Sequence, residues 1–199
     1  MTPNDDLTSF IRAELLDLAR LFNETADSEV PAQAKAASQW CRETIEAGGA
    51  IYYCGNGGSA AEAIHLAAEL GGRLELDRAP LAALALGTNP SMVTAVGNDY
   101  GFDSIFAREL AIVRLGDIVF ALTTSGRSPN IHQAMVTAHT RGARVIAVTG
   151  SASDDLEHAD LHLRIPTART RNVQEVSLAI GHLIYLIVER AMRDESPHP

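Results

Sequence analysis

The sequence predicts an α/β fold in which helices cover both faces of a parallel β-sheet. Short apolar runs alternate with helical stretches along most of the chain, and turns rich in glycine, serine and threonine separate them. The apolar runs are continuous, which is typical of strands buried on both faces of a parallel sheet. No low-complexity linker interrupts the 199 residues, so we expect a single domain.

Two helices are predicted ahead of the first strand. Residues 5–23 carry apolar side chains at helical spacing, and residues 31–47 begin with a proline and are followed by two glycines. Neither helix carries an obvious chemical group. We therefore expect residues 1–48 to form a helical extension that serves packing or oligomerisation.

Strands and helices follow one another through the rest of the chain. The predicted strands span residues 50–54, 81–86, 117–122, 145–149 and 161–165. The predicted helices span residues 60–70, 130–140 and 173–192. Parallel strands joined in this way have right-handed crossovers. The carboxyl ends of the strands then meet at one edge of the sheet, where such sheets bind their ligands.

The charge balance and the basic residues disfavour several classes of function. With 16 Lys+Arg against 25 Asp+Glu the formal charge is −9, which argues against a nucleic acid or an anionic membrane as partner. Aromatic residues make up only 5%, so base-stacking platforms are not expected. Lys35 is the only lysine and lies in a polar helical stretch. We therefore predict neither a Walker-type phosphate loop nor Schiff-base chemistry.

The cysteines and the N-terminal residues favour a cytoplasmic location. Cys41 and Cys54 form no CxxC pair and no zinc-binding pattern, and they do not indicate a secreted disulfide framework. The first residues lack the basic start and apolar run of a signal peptide, and no apolar stretch is long enough for a membrane span. We expect a cytoplasmic protein that binds neither membrane nor nucleic acid.

Two loops after predicted strands have the composition of an anion site. Residues 55–59 read Gly-Asn-Gly-Gly-Ser, and glycine permits positive φ and close backbone approach. Residues 123–128 read Thr-Thr-Ser-Gly-Arg-Ser and offer four hydroxyls. Each loop precedes a helix whose N-terminal N–H groups favour an anion such as a sugar phosphate. Ordinary turns with Ser and Thr as helix caps are the alternative, whereas the glycine spacing does not fit a dinucleotide fingerprint.

A histidine and a glutamate lie four residues apart on the helix after the first loop. His65 and Glu69 share nearly one face, because four residues turn a helix by about 400° and advance it by about 6 Å. Such a pair suits metal binding or acid–base chemistry, and an ordinary surface pair is the alternative. His182 lies among apolar residues of the last helix, where a core histidine is the alternative. Gln174 precedes it by about 12 Å along the helix axis, so both reach one ion only if the ion lies between them.

Some polar residues give weaker signals. Asn98 and Asp99 are predicted in a loop, where they either hydrogen-bond a polyol or simply form a turn. The remaining histidines form no recognisable set; they are His132, His139, His158, His162 and His198.

Five motifs follow one another from the first predicted strand to the last helix. They are Cys54-Gly-Asn-Gly-Gly-Ser59, His65-x-x-x-Glu69-Leu-x-Gly-Arg73, Gly97-Asn-Asp-Tyr-Gly101, Thr124-Ser-Gly-x-Ser128, and Gln174-Glu175 with His182. In order and spacing they resemble the sedoheptulose-7-phosphate isomerase (phosphoheptose isomerase) family of SIS (sugar isomerase) domain proteins. The resemblance covers nearly the whole chain.

The resemblance implies the SIS fold, a three-layer αβα sandwich, as a single domain over residues 1–199 with the N-terminal helical extension. It implies a homotetramer with active sites at subunit contacts. It also implies isomerisation of sedoheptulose 7-phosphate to D-glycero-D-manno-heptose 7-phosphate, a step of heptose biosynthesis, by enediol proton transfer.

The resemblance also implies roles for individual residues. Glu69 and His182 would be catalytic. One zinc ion per active site would be bound by His65, Glu69, Gln174 and His182. The substrate would be contacted by Asn56, Gly57, Gly58, Ser59, Glu69, Arg73, Asn98, Asp99, Thr123, Thr124, Ser125, Ser128 and Gln174.

Two positions depart from the family pattern. Thr123 stands where the family usually has serine, and Arg127 stands where a small polar residue or lysine is common. Both bear on the fit around the phosphate and therefore on the identity of the sugar. Metal binding and direct acid–base chemistry compete for the same side chains, and the sequence leaves that choice open.

Three alternative functions share parts of this pattern. A non-enzymatic SIS protein that binds the replication initiator has similar loops but lacks a carboxylate at the position of Glu69. A sugar-phosphate sensing module would usually be fused to a DNA-binding domain, and the chain shows no basic helix-turn-helix segment. An isomerase of a different ketose phosphate would keep the chemistry. The joint presence of His65, Glu69, Gln174 and His182 favours an enzyme.

Overall fold

A five-stranded parallel sheet forms the centre of the structure, a computed structural model that describes residues 3–192. Its strands are β1 (Ile51–Gly55), β2 (Ala83–Ala85), β3 (Ile118–Leu122), β4 (Arg144–Gly150) and β5 (Leu161–Ile165). They lie in the order β2-β1-β3-β4-β5, and every neighbouring pair is parallel. All five predicted strands are confirmed, although β2 is shorter than predicted. His198 lies outside the described residues.

Seven α-helices accompany the sheet within residues 3–192. They are α1 (Pro3–Ala26), α2 (Val30–Glu46), α3 (Gly58–Gly71), α4 (Pro90–Tyr100), α5 (Ile105–Glu109), α6 (Pro129–Thr140) and α7 (Thr170–Ala191). The five predicted helices are confirmed, whereas α4 and α5 were not predicted. None of the helices in this part of the chain has the length and apolar character needed to cross a membrane.

The predicted loop around Asn98 and Asp99 is wrong, because both residues lie near the end of α4. The helix begins at Pro90, and the side chain of Asn89 accepts hydrogen bonds from the N–H groups of residues 91 and 92 at 3.1 and 3.3 Å. An Asn cap followed by proline is a helix start signal. That signal outweighs the turn tendency of the Gly-Asn-Asp run further along.

Alternate residues of the three central strands, β1, β3 and β4, face two different helical layers. Ile51 and Tyr53 pack in a core with residues of α2, α3 and α7. Tyr52 and Cys54 pack in a second core with residues of α4, α5 and α6. Both cores consist mainly of buried apolar side chains, as the continuous apolar runs predict. The three-layer αβα sandwich is therefore confirmed.

Helix α1 is only partly covered by the rest of the chain. Leu18 and Leu21 pack against residues of α2, β5 and α7 in a small third core. Five other apolar side chains of α1 form a stripe in which each is 51–63% exposed, made of Leu7, Phe10, Ile11, Leu15 and Leu16. Contiguous exposed apolar patches are typical of interaction sites.

Helices α3 and α7 pack side by side in the same direction. They approach closely at Gly181 of α7, where an added methyl group would come within 2.6 Å of Leu66 Cδ2. Towards the start of both helices, Ser177 Oγ donates a hydrogen bond to Glu62 Oε1 at 2.6 Å. The absence of a side chain at Gly181 therefore allows the two helices to lie close together.

The contact between α3 and α7 contains a carboxyl group with a raised pKa. Glu62 is 7% exposed, and burial raises its pKa to about 7 although the hydrogen bond from Ser177 opposes the shift. The folded pKa lies above the unfolded value. Protonated Glu62 therefore contributes stability that is present at low pH and is lost as the pH rises through about 7.

Glu62→Gln is expected to remove this pH dependence. Between about pH 5.5 and pH 8, the free energy of unfolding of the unaltered chain should fall by on the order of 2 kcal/mol relative to the variant. Denaturant unfolding at the two pH values measures the difference, with exposed Glu157→Gln as the control. Parallel pH profiles for the unaltered chain and Glu62→Gln would contradict the assignment.

Candidate active site

The loop after β1 exposes backbone N–H groups at the carboxyl edge of the sheet. Gly57 has a φ of +57°, which glycine adopts without strain, and its surroundings are open. A side chain at Gly55 would collide with the backbone of Ser59, and one at Gly58 would collide with the amide group of Gln174. Because these positions are glycines, they place no side chain in the space at the N-terminus of α3.

The loop after β3 collects hydroxyl groups at the same edge. Thr123 Oγ1 donates to Ser128 Oγ at 3.4 Å, and Thr124 Oγ1 lies 3.4 Å from the hydroxyl of Thr170, the first residue of α7. Ser125 Oγ accepts a hydrogen bond from the backbone N–H of Arg127 at 3.3 Å. Hydroxyls near two helix N-termini are suited to an anionic ligand.

A glycine and a histidine shape the tip of this second loop. Gly126 has a φ of +68°, and a side chain there would collide with Ser153. The carbonyl oxygen of Gly126 lies 2.6 Å from His132 Nε2, so that nitrogen carries the proton and donates. The sequence predicts no role for His132, because no local pattern shows that this side chain of α6 reaches back to the loop.

The two loops are joined across the sheet. They follow β1 and β3, which are neighbouring strands. Asn56 and Asn130 exchange two amide hydrogen bonds of 2.8 Å, which tie the first loop to the helix after the second. The combined edge offers N–H groups and neutral hydroxyls, with exposed Arg127 as an added cation. This composition suits a phosphate group.

Three titratable side chains meet where α3 and α7 run side by side, and we call them the His65–Glu69–His182 cluster. His65 Nε2 lies 2.9 Å from His182 Nε2 and 3.3 Å from Glu69 Oε1. The imidazole rings are tilted by 49°, with centroids 5.0 Å apart. His65 is exposed, and the other two are half-buried. The structure thus brings together three of the four residues expected to bind zinc.

The geometry of this cluster fits a zinc ion. The ligand atoms of the three residues all lie within 4.8 Å of one another. Ligands bound to zinc at about 2.0–2.2 Å in a tetrahedral site lie roughly 3.3 Å apart, close to the spacings of His65 Nε2 from its two partners. Two His and one Glu form a known donor set of catalytic zinc sites, which leave one position for water or substrate.

Gln174 contacts the first loop in this structure. Its Nε2 donates to Ser59 Oγ at 3.4 Å, and the amide packs against Gly58. Ser59 precedes His65 by six residues, about 9 Å along the axis of α3. The amide therefore lies at the substrate-loop end of the contact between α3 and α7, and its role as a fourth zinc ligand stays a prediction.

The remaining predicted site residues lie further out. Arg73 is exposed in the segment just after α3. Asn98 and Asp99 are exposed on α4, in the helical layer opposite to α3 and α7, and Asn98 Nδ2 donates to Asp99 Oδ1 at 2.8 Å. Within residues 6–192, no hydrogen bond or ion pair joins these two to the cluster or the loops. Their contacts with substrate stay predictions.

A buried ion pair beside Glu69 was not predicted from the sequence. The side chains of Arg78 and Glu189 are 2% and 0% exposed, and Arg78 Nε lies 3.4 Å from Glu189 Oε1. The one available signal was an acidic residue on the apolar side of the last helix. Its partner lies 111 positions earlier in the chain, and no local pattern relates the two residues.

The chain is similar to known proteins in both sequence and structure. The SIS domain family matches residues 16–150. The phosphoheptose isomerase of Rhodospirillum rubrum is 46% identical over 184 residues, which cover 92% of this chain and 97% of that protein. The phosphoheptose isomerase of Akkermansia muciniphila is 41% identical over 186 residues, with the same coverage of both chains. The solved structure of a phosphoheptose isomerase from Francisella tularensis has a TM-score of 0.85 and 34% identity, covering 96% of this chain and 100% of that one.

These similarities agree with the five motifs and with the three-layer fold. They extend over nearly the full length of each relative, so they include both loops and the cluster. The family predicted from the sequence is confirmed: the chain belongs to the phosphoheptose isomerase family of SIS domain proteins.

Proposed function

We propose that this chain converts sedoheptulose 7-phosphate to D-glycero-D-manno-heptose 7-phosphate, as an aldose–ketose isomerase of heptose biosynthesis in the cytoplasm. The observation that carries the proposal is the His65–Glu69–His182 cluster, because a base, an acid and a metal-binding set lie together in it. The names of the relatives supply the class of substrate, a phosphoheptose, and the family resemblance specifies sedoheptulose 7-phosphate. The cytoplasmic location stays a prediction from the sequence.

The two loops hold the phosphate in this proposal. The N–H groups of the first loop and the hydroxyls of Thr123, Thr124, Ser125 and Ser128 provide donors at the carboxyl edge of β1 and β3. Helix N-termini add positive potential there without any lysine. The departures Thr123 and Arg127 keep a hydroxyl and add a cation, so both preserve binding of an anion.

The cluster carries the proton transfers. A ketose becomes an aldose when a base removes a proton from C1 and returns it to C2, through a cis-enediol. We assign this base role to Glu69, whose Oε1 faces His65 and whose second oxygen is left for the carbon-bound proton. His182 exchanges protons with the sugar oxygens, since an imidazole can both donate and accept a proton. His65 contacts both and sets their relative position.

Zinc belongs to the proposal as a cofactor. His65, Glu69 and His182 would hold it, with Gln174 as the fourth ligand implied by the family resemblance. When bound, zinc supplies a Lewis acid that stabilises negative charge on the sugar oxygens. The donor set and the spacing of the three ligand atoms support this assignment.

We also propose a homotetramer with active sites at subunit contacts. Exposed apolar side chains flank the cluster: Ile64, Leu183 and Ile187 are 50–54% exposed. An apolar groove of about 300 Å³ lies between α1, α2 and α7, and Leu183 and Ile187 are among the residues that line it. A second copy of the chain seated there would bury apolar surface and exclude water from the cluster.

Glu69→Gln is expected to lower kcat for sedoheptulose 7-phosphate by at least about a thousandfold. The amide cannot accept the carbon-bound proton, and acid–base groups contribute about 10²–10⁴-fold to rate. A coupled or NMR assay of product formation measures the effect, and exposed Glu75→Gln is the control. A purified protein that yields no product from any pentulose, hexulose or heptulose phosphate in the presence of zinc would overturn the enzyme assignment.

Removal of metal is expected to lower activity, and added zinc is expected to restore it. Elemental analysis should find one zinc per chain in the unaltered protein and less than about a tenth of that in His65→Ala, since a chelating site needs its ligands in place. His139→Ala, on an exposed helix face, is the control. Full activity in a chelated, metal-free sample would contradict the cofactor assignment.

Phe10→Glu is expected to disrupt the assembly. A charge in the middle of the exposed α1 stripe carries a desolvation cost if that stripe is buried between subunits. Size-exclusion chromatography with light scattering should show a tetramer for the unaltered chain and smaller species for the variant, with loss of activity in parallel. Leu115→Glu, at a side chain that is 85% exposed and lies outside α1, is the control. A monomeric, active unaltered chain would exclude this arrangement.

A further inference from the structure

We propose that Arg78 and Glu189 are positioning residues that hold Glu69 at a fixed distance from His182. The inference rests on the proposed function, because it assigns these two buried residues to the same reaction centre. Their side chains are 2% and 0% exposed, so neither touches a substrate. They act through the backbone of the segment that carries Glu69.

Arg78 caps the end of α3. The last carbonyl groups of a helix have no intrahelical partner and need one from outside. Arg78 Nη2 donates to the carbonyl oxygen of Glu69 at 2.8 Å, and its Nη1 donates to those of Leu70 and Gly72 at 2.9 and 3.2 Å. A planar guanidinium reaches several carbonyls at once, which a lysine ammonium on a flexible stem does not match. The backbone of Glu69 itself is therefore fixed by this side chain.

Glu189 fixes the segment that follows. Its two carboxylate oxygens accept hydrogen bonds of 2.9 Å from the backbone N–H groups of Leu74, Glu75 and Leu76. Burial by itself raises the pKa of Glu189, but the three N–H donors and Arg78 outweigh burial and hold the pKa below its usual value. The carboxylate therefore stays ionised beside Arg78, and the segment after α3 is attached to the end of α7.

The Arg78–Glu189 pair is a second contact that holds together the two helices that carry the cluster. Gly181 and Leu66 bring α3 and α7 together next to His182 and His65. Arg78 and Glu189 join the same helices a second time, beyond Glu69 and two turns after His182. Glu69 thus lies between two points of attachment, and its distance from His182 depends on both. Misplacement of a reacting group by about 1 Å costs on the order of a hundredfold in rate.

The test measures kcat and KM for Arg78→Lys and Glu189→Gln. We expect kcat to fall by about tenfold or more and KM for sedoheptulose 7-phosphate to change by less than about threefold. We expect kcat to change more than KM because the two loops that hold the phosphate lie at the other end of α3. Amide hydrogen exchange at Leu74, Glu75 and Leu76 should become faster in both variants, and this readout does not depend on activity.

Asp117→Asn is the matched control for a loss of stability. Asp117 is also buried, and its carboxylate accepts hydrogen bonds from the backbone N–H groups of Ala50 and Arg114 at 2.9 and 2.8 Å. It lies at the amino end of β3, away from the cluster. The Asp117→Asn variant should be less stable than the unaltered chain but should keep its kcat. Folded variants with unchanged kcat, or an equal loss of kcat in Asp117→Asn, would overturn the inference. If the unaltered chain isomerises no sugar phosphate, the proposed function fails, and amide exchange alone then decides whether the pair holds the end of α3.

Discussion

The close parallel packing of α3 against α7 is the constraint on which the candidate site depends. Gly181 leaves room for Leu66, and the neighbouring residues in each helix, His182 and His65, therefore approach within hydrogen-bond distance. The sheet below keeps this contact in place, since Tyr185 of α7 donates to the hydroxyl of Tyr53 on β1 at 2.6 Å. Without that packing, Glu69 and His65 would be an ordinary surface pair.

The same packing links the reaction centre to the substrate loops. Helix α3 begins at the first loop and carries His65 and Glu69 further along, so one rigid element spans both functions. The first residue of α7 lies beside a hydroxyl of the second loop, while His182 lies on the same helix three turns later. In the proposed function, an acidic chain with one lysine would hold an anion through backbone groups and hydroxyls rather than through a net positive surface.

Local patterns were enough to predict the sheet and most helices, because burial on both faces and helical periodicity leave direct traces in the sequence. The His65–Glu69 pair also follows from helical spacing alone. The contact between His65 and His182 spans 117 positions, and no local pattern contains it. Family resemblance supplied that link. Neither route found Arg78 with Glu189, since their contact arises only from how the segment after α3 folds back onto α7.

The central claim is that the cluster on α3 and α7 transfers a proton between neighbouring carbons of a ketose phosphate. Its most direct test is the reaction of sedoheptulose 7-phosphate in D₂O, followed by proton NMR. Enediol proton transfer predicts an aldose product with deuterium from solvent at C2, because a carboxylate base exchanges its proton with water during some turnovers. A product that carries no deuterium after many turnovers would contradict a carboxylate-mediated transfer, and no product at all would contradict the function.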